Sequence, residues 1–168
     1  MPTVTLTPIG PDDDTLRAAV VRLAPTPAQE VWASRAELTL PAADTDPDRT
    51  RFAVLDGDQA IGFGVLDRAG YLDELVDAPA RAVLLRAFYL DVTAQGGGRG
   101  TAAASAVPVL AGALFDDVEL VVLTVNVANP VAVAAYRRAG FTDTGTRYLG
   151  GDAGPQHLLT AIVPHHPP

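Results

Sequence analysis

Apolar and polar side chains alternate at residues 3–9, "TVTLTPI", and this period of two predicts a first strand. The period changes in "PDDDTLRAAVVRLA" (11–24), where aspartates precede Leu16, Val20 and Leu23 at helical spacing, predicting a helix. "PAQEVWASRAEL" (27–38) predicts a second helix, followed by the polar loop "PAADTDPDRT". "RFAVLDGDQAIGFGVLDR" (51–68) holds two strand-like runs around "DGDQ", the pattern of a β-hairpin. Gly62 and Gly64 share one face of its second strand, where a neighbour is expected to pack close. "YLDELVDAP" reads as a loop or a short helical turn.

"AVLLRAFYLDV" (82–92) is apolar almost throughout, as a strand covered on both faces should be. After it come a glycine loop and an alanine-rich helix that Pro108 should kink or shorten, because proline lacks a donor. "VELVVLTVNV" predicts another strand, and "NPVAVAAYRRAG" a helix with Pro130 in its first turn and Gly140 as terminator. "FTDTGTRYLG" and "PQHLLTAIV" predict two last strands, with a frayed tail over 164–168. One domain over 1–163 accounts for this order. The class is α/β (α+β), with a mixed, mostly antiparallel sheet of about seven strands flanked by about four helices.

Composition narrows the chemistry. The 168 residues carry a net charge of −8, which argues against a nucleic-acid partner. The same charge mildly favours cationic small molecules. There is no cysteine and no lysine among the 168 residues, which excludes thiol catalysis, cysteine–zinc sites and a Schiff-base lysine. No apolar run reaches the roughly 18 residues of a membrane span, and no leader opens the chain, so a cytoplasmic location without membrane contact is expected.

The stretch "DVTAQGGGRGTAAASA" (91–106) sets glycines 96, 97, 98 and 100 around Arg99, where a strand gives way to a helix. Glycine there admits positive φ and lets a ligand meet bare backbone amides, usually those of a phosphate site. A triphosphatase loop would end Gly-Lys-Ser/Thr, whereas this one ends Gly98-Arg99-Gly100-Thr101. A dinucleotide fingerprint can be forced onto Gly98, Gly100 and Ala103, but Glu119 begins the next strand where that motif needs an acid at its end. The third pattern, Gln/Arg-x-x-Gly-x-Gly/Ala, is met by Gln95, Gly98 and Gly100. It is followed by "LTVNVANPVAVAAYRRAGF", with Asn129, Ala132, Tyr136 and Gly140-Phe141.

Together these two constellations resemble the GNAT N-acetyltransferase superfamily over residues 83–149. The resemblance implies acetyl-CoA as cosubstrate, with no metal, and transfer of its acetyl group to a primary amine. It implies that the amides of Gly96, Gly97, Gly98, Arg99, Gly100 and Thr101 hold a pyrophosphate, with the helix dipole behind them. The Arg99 side chain either adds a contact to phosphate or faces solvent. Ala102, Ala103 and Ala104 would let the helix lie close to the sheet. Main-chain groups of Phe88, Tyr89 and Leu90 would flank the pantetheine arm, with the Leu90 N–H facing the developing oxyanion. Asn129 would bind that arm, cap the following helix, or do both. Tyr136 falls at the position of the family's general acid. A tyrosine near pKa 10 cannot readily protonate a thiolate of pKa about 8.5, so hydrogen bonding to the sulfur is the alternative role.

The general base is left open. Thr124 occupies the position where many relatives have Glu, and Asp91, Glu37, His157 or a water oriented by Asn126 are the candidates. Residues 26–51 and 67–80 should line the acceptor site, with Trp32, Glu37, Asp44 and Asp46 among them. "GGDAGPQHLL" (150–159) either lines the acceptor pocket or forms a turn. The implied acceptor is a small-molecule amine, such as a polyamine-like or aminated metabolite, with a peptide or protein amine as the alternative. A non-catalytic acyl-CoA-binding module is the reading from another class. A homodimer through the C-terminal strands is a further implication.

Overall fold

β1 (Thr5–Pro8), β2 (Arg49–Asp56), β3 (Gln59–Asp67), β4 (Ala82–Leu90), β5 (Leu120–Asn126), β6 (Thr142–Tyr148) and β7 (Gln156–Ile162) form a single sheet. Its order in the computed structural model, which describes residues 2–165, is β1-β2-β3-β4-β5-β7-β6. Every pairing is antiparallel except β4 with β5. Among the described residues five α-helices accompany it: α1 (Asp14–Val21), α2 (Ala36–Asp44), α3 (Leu72–Leu75), α4 (Arg99–Leu114) and α5 (Pro130–Arg138). The mixed, mostly antiparallel α/β architecture expected from the sequence is thus present.

Three apolar clusters place the helices. Phe52, Val54, Leu66, Val83, Leu85, Ala103, Val107, Val121 and Leu123 join α4 and α5 to one face of the sheet. Val20, Leu40, Ala53, Phe63, Val65 and Tyr89 join α1 and α2 to the other. A smaller group around Leu72, Leu84, Val122 and Leu158 lies under α3. The expected close approach at the hairpin glycines is real. A Cβ on Gly64 would stand 2.3 Å from Phe52 Cζ, and one on Gly62 would stand 2.6 Å from Leu90 Cδ2.

Two local expectations need correction. The helix expected over 27–38 is a single 3-10 turn, Gln29–Val31, and α2 starts only at Ala36, running through Pro41 into the expected loop. Thr26 and Gln29 do bond each other as a helix start, with Thr26 N to Gln29 Oε1 at 3.1 Å. The side chain of Gln29 is however also bonded to Gln95, and the amide at the start of α2 is satisfied by Tyr89 Oη at 2.7 Å. Both partners are distant in sequence, so local pattern could not locate the break. Pro108, for its part, does not shorten α4, which continues to Leu114 with Pro108 buried against the sheet. At the C-terminus, His165 Nε2 lies 2.7 Å from the Val118 carbonyl, and the rest of the expected tail, 166–168, is outside the described residues.

Candidate active site

β4 and β5 pair only at Ala82–Leu84 against Leu120–Val122, although β4 runs to Leu90 and β5 to Asn126. Beyond Leu84 and Val122 the two strands part. A strand edge left unpaired exposes amides and carbonyls to whatever enters the gap. A cleft of about 640 Å³ occupies this place and is lined by Leu85–Leu90 on one side and Leu123–Asn126 on the other.

The departure of β4 coincides with a bulge. Phe63 pairs with Tyr89 and Val65 with Arg86, so Ala87 and Phe88 together oppose Gly64. Ala87 has φ 52°, the only positive φ on a non-glycine among the described residues. That conformation costs about 1–2 kcal/mol for a residue with Cβ. The extra residue shifts the alternation of side chains along the strand. Arg86 and Ala87 lie on the α1/α2 side, and Phe88 turns to the α4/α5 side. There its ring packs between Phe52 at 6.2 Å and Tyr136 at 6.3 Å. Asp91 N donates to the Ile61 carbonyl at 2.8 Å, so by the alternation of an antiparallel ladder the Leu90 N–H points away from β3, into the gap.

The glycine loop closes one end of the cleft. Gly96, Gly97 and Gly98 have φ of 89°, 65° and 80° in succession, and Gly98 is the left-handed N-cap of α4. Three consecutive left-handed residues turn successive N–H groups toward one side, a concavity suited to an anion. Among the described residues no acceptor engages the N–H of Gly97, Gly98, Gly100 or Thr101. Gln95 anchors the loop from below by donating to the Leu90 carbonyl at 3.1 Å. Ala103 and Ala104 are fully buried against the sheet, while Ala102 is half-buried. Arg99 does not line the cleft; its guanidinium lies on the other side of the loop, 3.3 Å from Asp56.

Tyr136 reaches the cleft from α5, held edge-on to Phe141 at 5.6 Å. Its hydroxyl has no partner among the described residues, and burial pushes its ionisation well above the ordinary phenol value. Asn129 caps α5, accepting from Ala132 N at 3.4 Å, and lines the cleft as well. Asn126 is 5% exposed and lines the cleft: Nδ2 donates to the Ala153 carbonyl at 2.7 Å and Oδ1 accepts from Ala128 N at 2.8 Å. It ties the 150s loop to β5 and keeps a second N–H and a second lone pair. Tyr89 contributes only main chain to the cleft face of the core, since its side chain caps α2 on the opposite side.

None of the three side chains considered as bases lines this cleft. Asp91 accepts from Ala24 N at 2.9 Å and from Thr93 N at 3.2 Å. Burial alone would raise its pKa, but the hydrogen bonds from Thr93 and Ala24 prevail and lower it. Glu37 is an exposed residue of α2 near Arg35. His157 pairs with Asp143 at 3.2 Å, between β6 and β7. Asp44 and Asp46 are likewise spent on arginines, Asp44 on Arg17 and Asp46 on Arg49. Of the acceptor-region residues named from sequence, Trp32 does line the cleft, as do Gly151, Asp152, Ala153 and Gln156.

Thr124 Oγ1 lies 3.0 Å from Tyr71 Oη, and Asp152 is the one carboxylate side chain on the cleft wall among the described residues. Arg49 and Arg86 converge on Asp67, which is 1% exposed, from β2 and β4. Strand residues of this kind give no motif, because only the register of three strands brings them together.

A family model, that of the acetyltransferase (GNAT) family, matches residues 17–141. No curated protein sequence matches the chain. Among solved structures, the aminoglycoside acetyltransferase AAC(6')-Ib in complex with coenzyme A and kanamycin is 21% identical, with a TM-score of 0.70 and 95% of each chain covered. Spermidine N-acetyltransferase from Vibrio cholerae, in complex with CoA and spermine, is 17% identical with a TM-score of 0.64, again over 95% of each chain. An aminoglycoside N(6')acetyltransferase from Legionella pneumophila is 15% identical, with a TM-score of 0.68, covering 95% of this chain and 92% of its own. At these identities the likeness is one of fold. The match to the family model spans most of the sequence, and the chain belongs to the acetyltransferase (GNAT) family.

Proposed function

Proceeding from that membership, we propose that the protein transfers the acetyl group of acetyl-CoA to a primary amine of a small molecule. The observation that carries this reading is the meeting, in one cleft, of an amide-lined glycine loop, two unpaired strand edges and the Tyr136 hydroxyl. Two of the solved structures named above hold CoA together with spermine or kanamycin, both amines.

The residues present fit the carrier. The unengaged N–H groups of Gly97, Gly98, Gly100 and Thr101 suit a pyrophosphate without any lysine. The open edge of β4 suits an amide-rich arm, which needs backbone partners and no particular side chain. On this reading the amine nitrogen attacks the thioester carbonyl, the oxygen takes up negative charge, and the carbon–sulfur bond breaks to leave thiolate. The Leu90 N–H is assigned to the oxygen. Tyr136 is assigned to the sulfur, and its raised pKa favours a hydrogen bond to thiolate over outright proton transfer. The ammonium proton leaves to solvent or to Asp152.

Incubation with acetyl-CoA and a panel of amines, followed by release of free thiol, tests the reading. Transfer to an amine is the expected result. CoA binding without transfer to any of them would overturn it in favour of a non-catalytic acyl-CoA-binding module.

A further inference from the structure

The charged side chains on the cleft wall are Arg49, Arg86, Arg138 and Asp152, three cations against one anion, in a chain whose net charge is −8. Arg49 and Arg86 stand on the α1/α2 side of the sheet, across the gap from the face that carries Tyr136. Both are fastened from behind. Arg86 Nη1 donates to Asp67 Oδ2 at 2.9 Å, and Arg49 Nε lies 3.3 Å from the same oxygen and 3.3 Å from Asp46. Asp67 is itself held by Ala69 N at 2.9 Å, and neither Asp67 nor Asp46 reaches the cleft wall.

Arg86 therefore spends one nitrogen in a hydrogen bond to the carboxylate behind it, whereas Arg49 Nε is ion-paired with Asp67 and Asp46 without a hydrogen bond to either. Among the described residues, Arg86 Nη2 and both terminal nitrogens of Arg49 make no hydrogen bond. Two planar donors fixed by a shared buried acid, with their remaining N–H groups unspent, form a preorganised receptor for an oxyanion. A second ammonium at this place would face the two guanidiniums, with Asp67 and Asp46 behind them and already paired.

Resting on the acetyltransferase reading, we infer that the acceptor carries a carboxylate as well as its amine, and that Arg49 and Arg86 bind that carboxylate. The acceptor class is an amino acid or a related aminocarboxylate. Polycations of the kind held by the solved relatives are disfavoured.

Two series of equal chain length isolate the distal charge: ω-amino acids with three to six carbons, and the matching α,ω-diamines. Both present the same primary amine to acetyl-CoA. The best aminocarboxylate should exceed its diamine by about tenfold or more in kcat/KM, the scale of one charge-assisted hydrogen bond. Arg86→Gln and Arg49→Gln should each narrow that ratio, and Arg86→Lys should restore part of it. A diamine equal or superior in the native protein, or a ratio untouched in both glutamine variants, would overturn the inference. Should no amine be acetylated, the acetyltransferase reading fails by itself. The anion site is then read by calorimetry, titrating 6-aminohexanoate and 1,6-diaminohexane into the protein–CoA complex. Preferential heat with the aminocarboxylate sustains the site, and equal or absent heats overturn it.

Discussion

Tyr136 on α5 and Phe88 on β4 face each other with ring centroids 6.3 Å apart, and they do so only because the bulge at Ala87 turns Phe88 to the α4/α5 side. The contact orients the one tyrosine hydroxyl on that side of the cleft. Tyr136→Phe keeps the ring packing and removes the hydrogen bond. Turnover should fall about tenfold or more, while CoA affinity by calorimetry stays within about threefold. Unchanged turnover would remove Tyr136 from the chemistry.

The same tyrosine bears on the pH profile. Its phenol is held above the ordinary value by burial, so it stays protonated past pH about 10. Activity should rise with pH as the acceptor amine loses its proton, with no fall from Tyr136 ionisation below about pH 10. A descending limb near pH 8 that disappears in Tyr136→Phe would contradict the assignment.

Gly98→Ala tests the loop. Its Cβ would meet nothing closer than Pro2 at 3.6 Å, so space is no obstacle, but φ of 80° costs an alanine about 1 kcal/mol or more. The strain relaxes by reorienting the amides that the loop presents. CoA binding should weaken about tenfold, against a loss of only a few degrees in Tm.

Asp91→Asn separates structure from catalysis. The carboxylate joins β4's end to Ala24 and Thr93, outside the cleft, and its pKa is lowered. Its contribution is present above the unfolded value of about 3.9 and is lost as pH falls through the lower folded value. The variant should be less stable than the native protein at pH 7, with the difference shrinking below about pH 4. Turnover should stay within about threefold at neutral pH, and a loss of about a hundredfold would reinstate Asp91 as the base.

Gly64→Ala probes the hairpin. A methyl 2.3 Å from the Phe52 ring forces the ring to move in a fully buried position. Overpacking of this kind costs about 1–3 kcal/mol, visible as a lower Tm in a thermal melt. An unchanged Tm would show that the core yields there.

Much of the site is legible in the amino-acid sequence, and the reason is local chemistry. Gly96–Gly98 need left-handed backbone, Asn129-Pro130 opens a helix, and Tyr136 follows at a fixed helical distance; each is written within a short stretch of chain. The three base candidates are not decided in that way. Asp91, Glu37 and His157 are titratable residues near the right elements, yet their side chains are directed to Ala24 and Thr93, to Arg35 and to Asp143. The start of α2 is similarly illegible, since Tyr89 supplies its cap from another strand.

Sequence by itself determined most of the elements, the glycine loop and the family pattern, because periodicity, glycine φ and helix caps act between neighbours in the chain. Tertiary structure alone decided where β4 leaves β5, which way Phe88 and Arg86 point, and that Arg49 and Arg86 meet over Asp67. β4 is apolar on both faces, so a bulge that shifts its side chains by one residue leaves no trace in hydrophobicity. Strand register, a property of three chain segments at once, is what assembles the charge of the cleft.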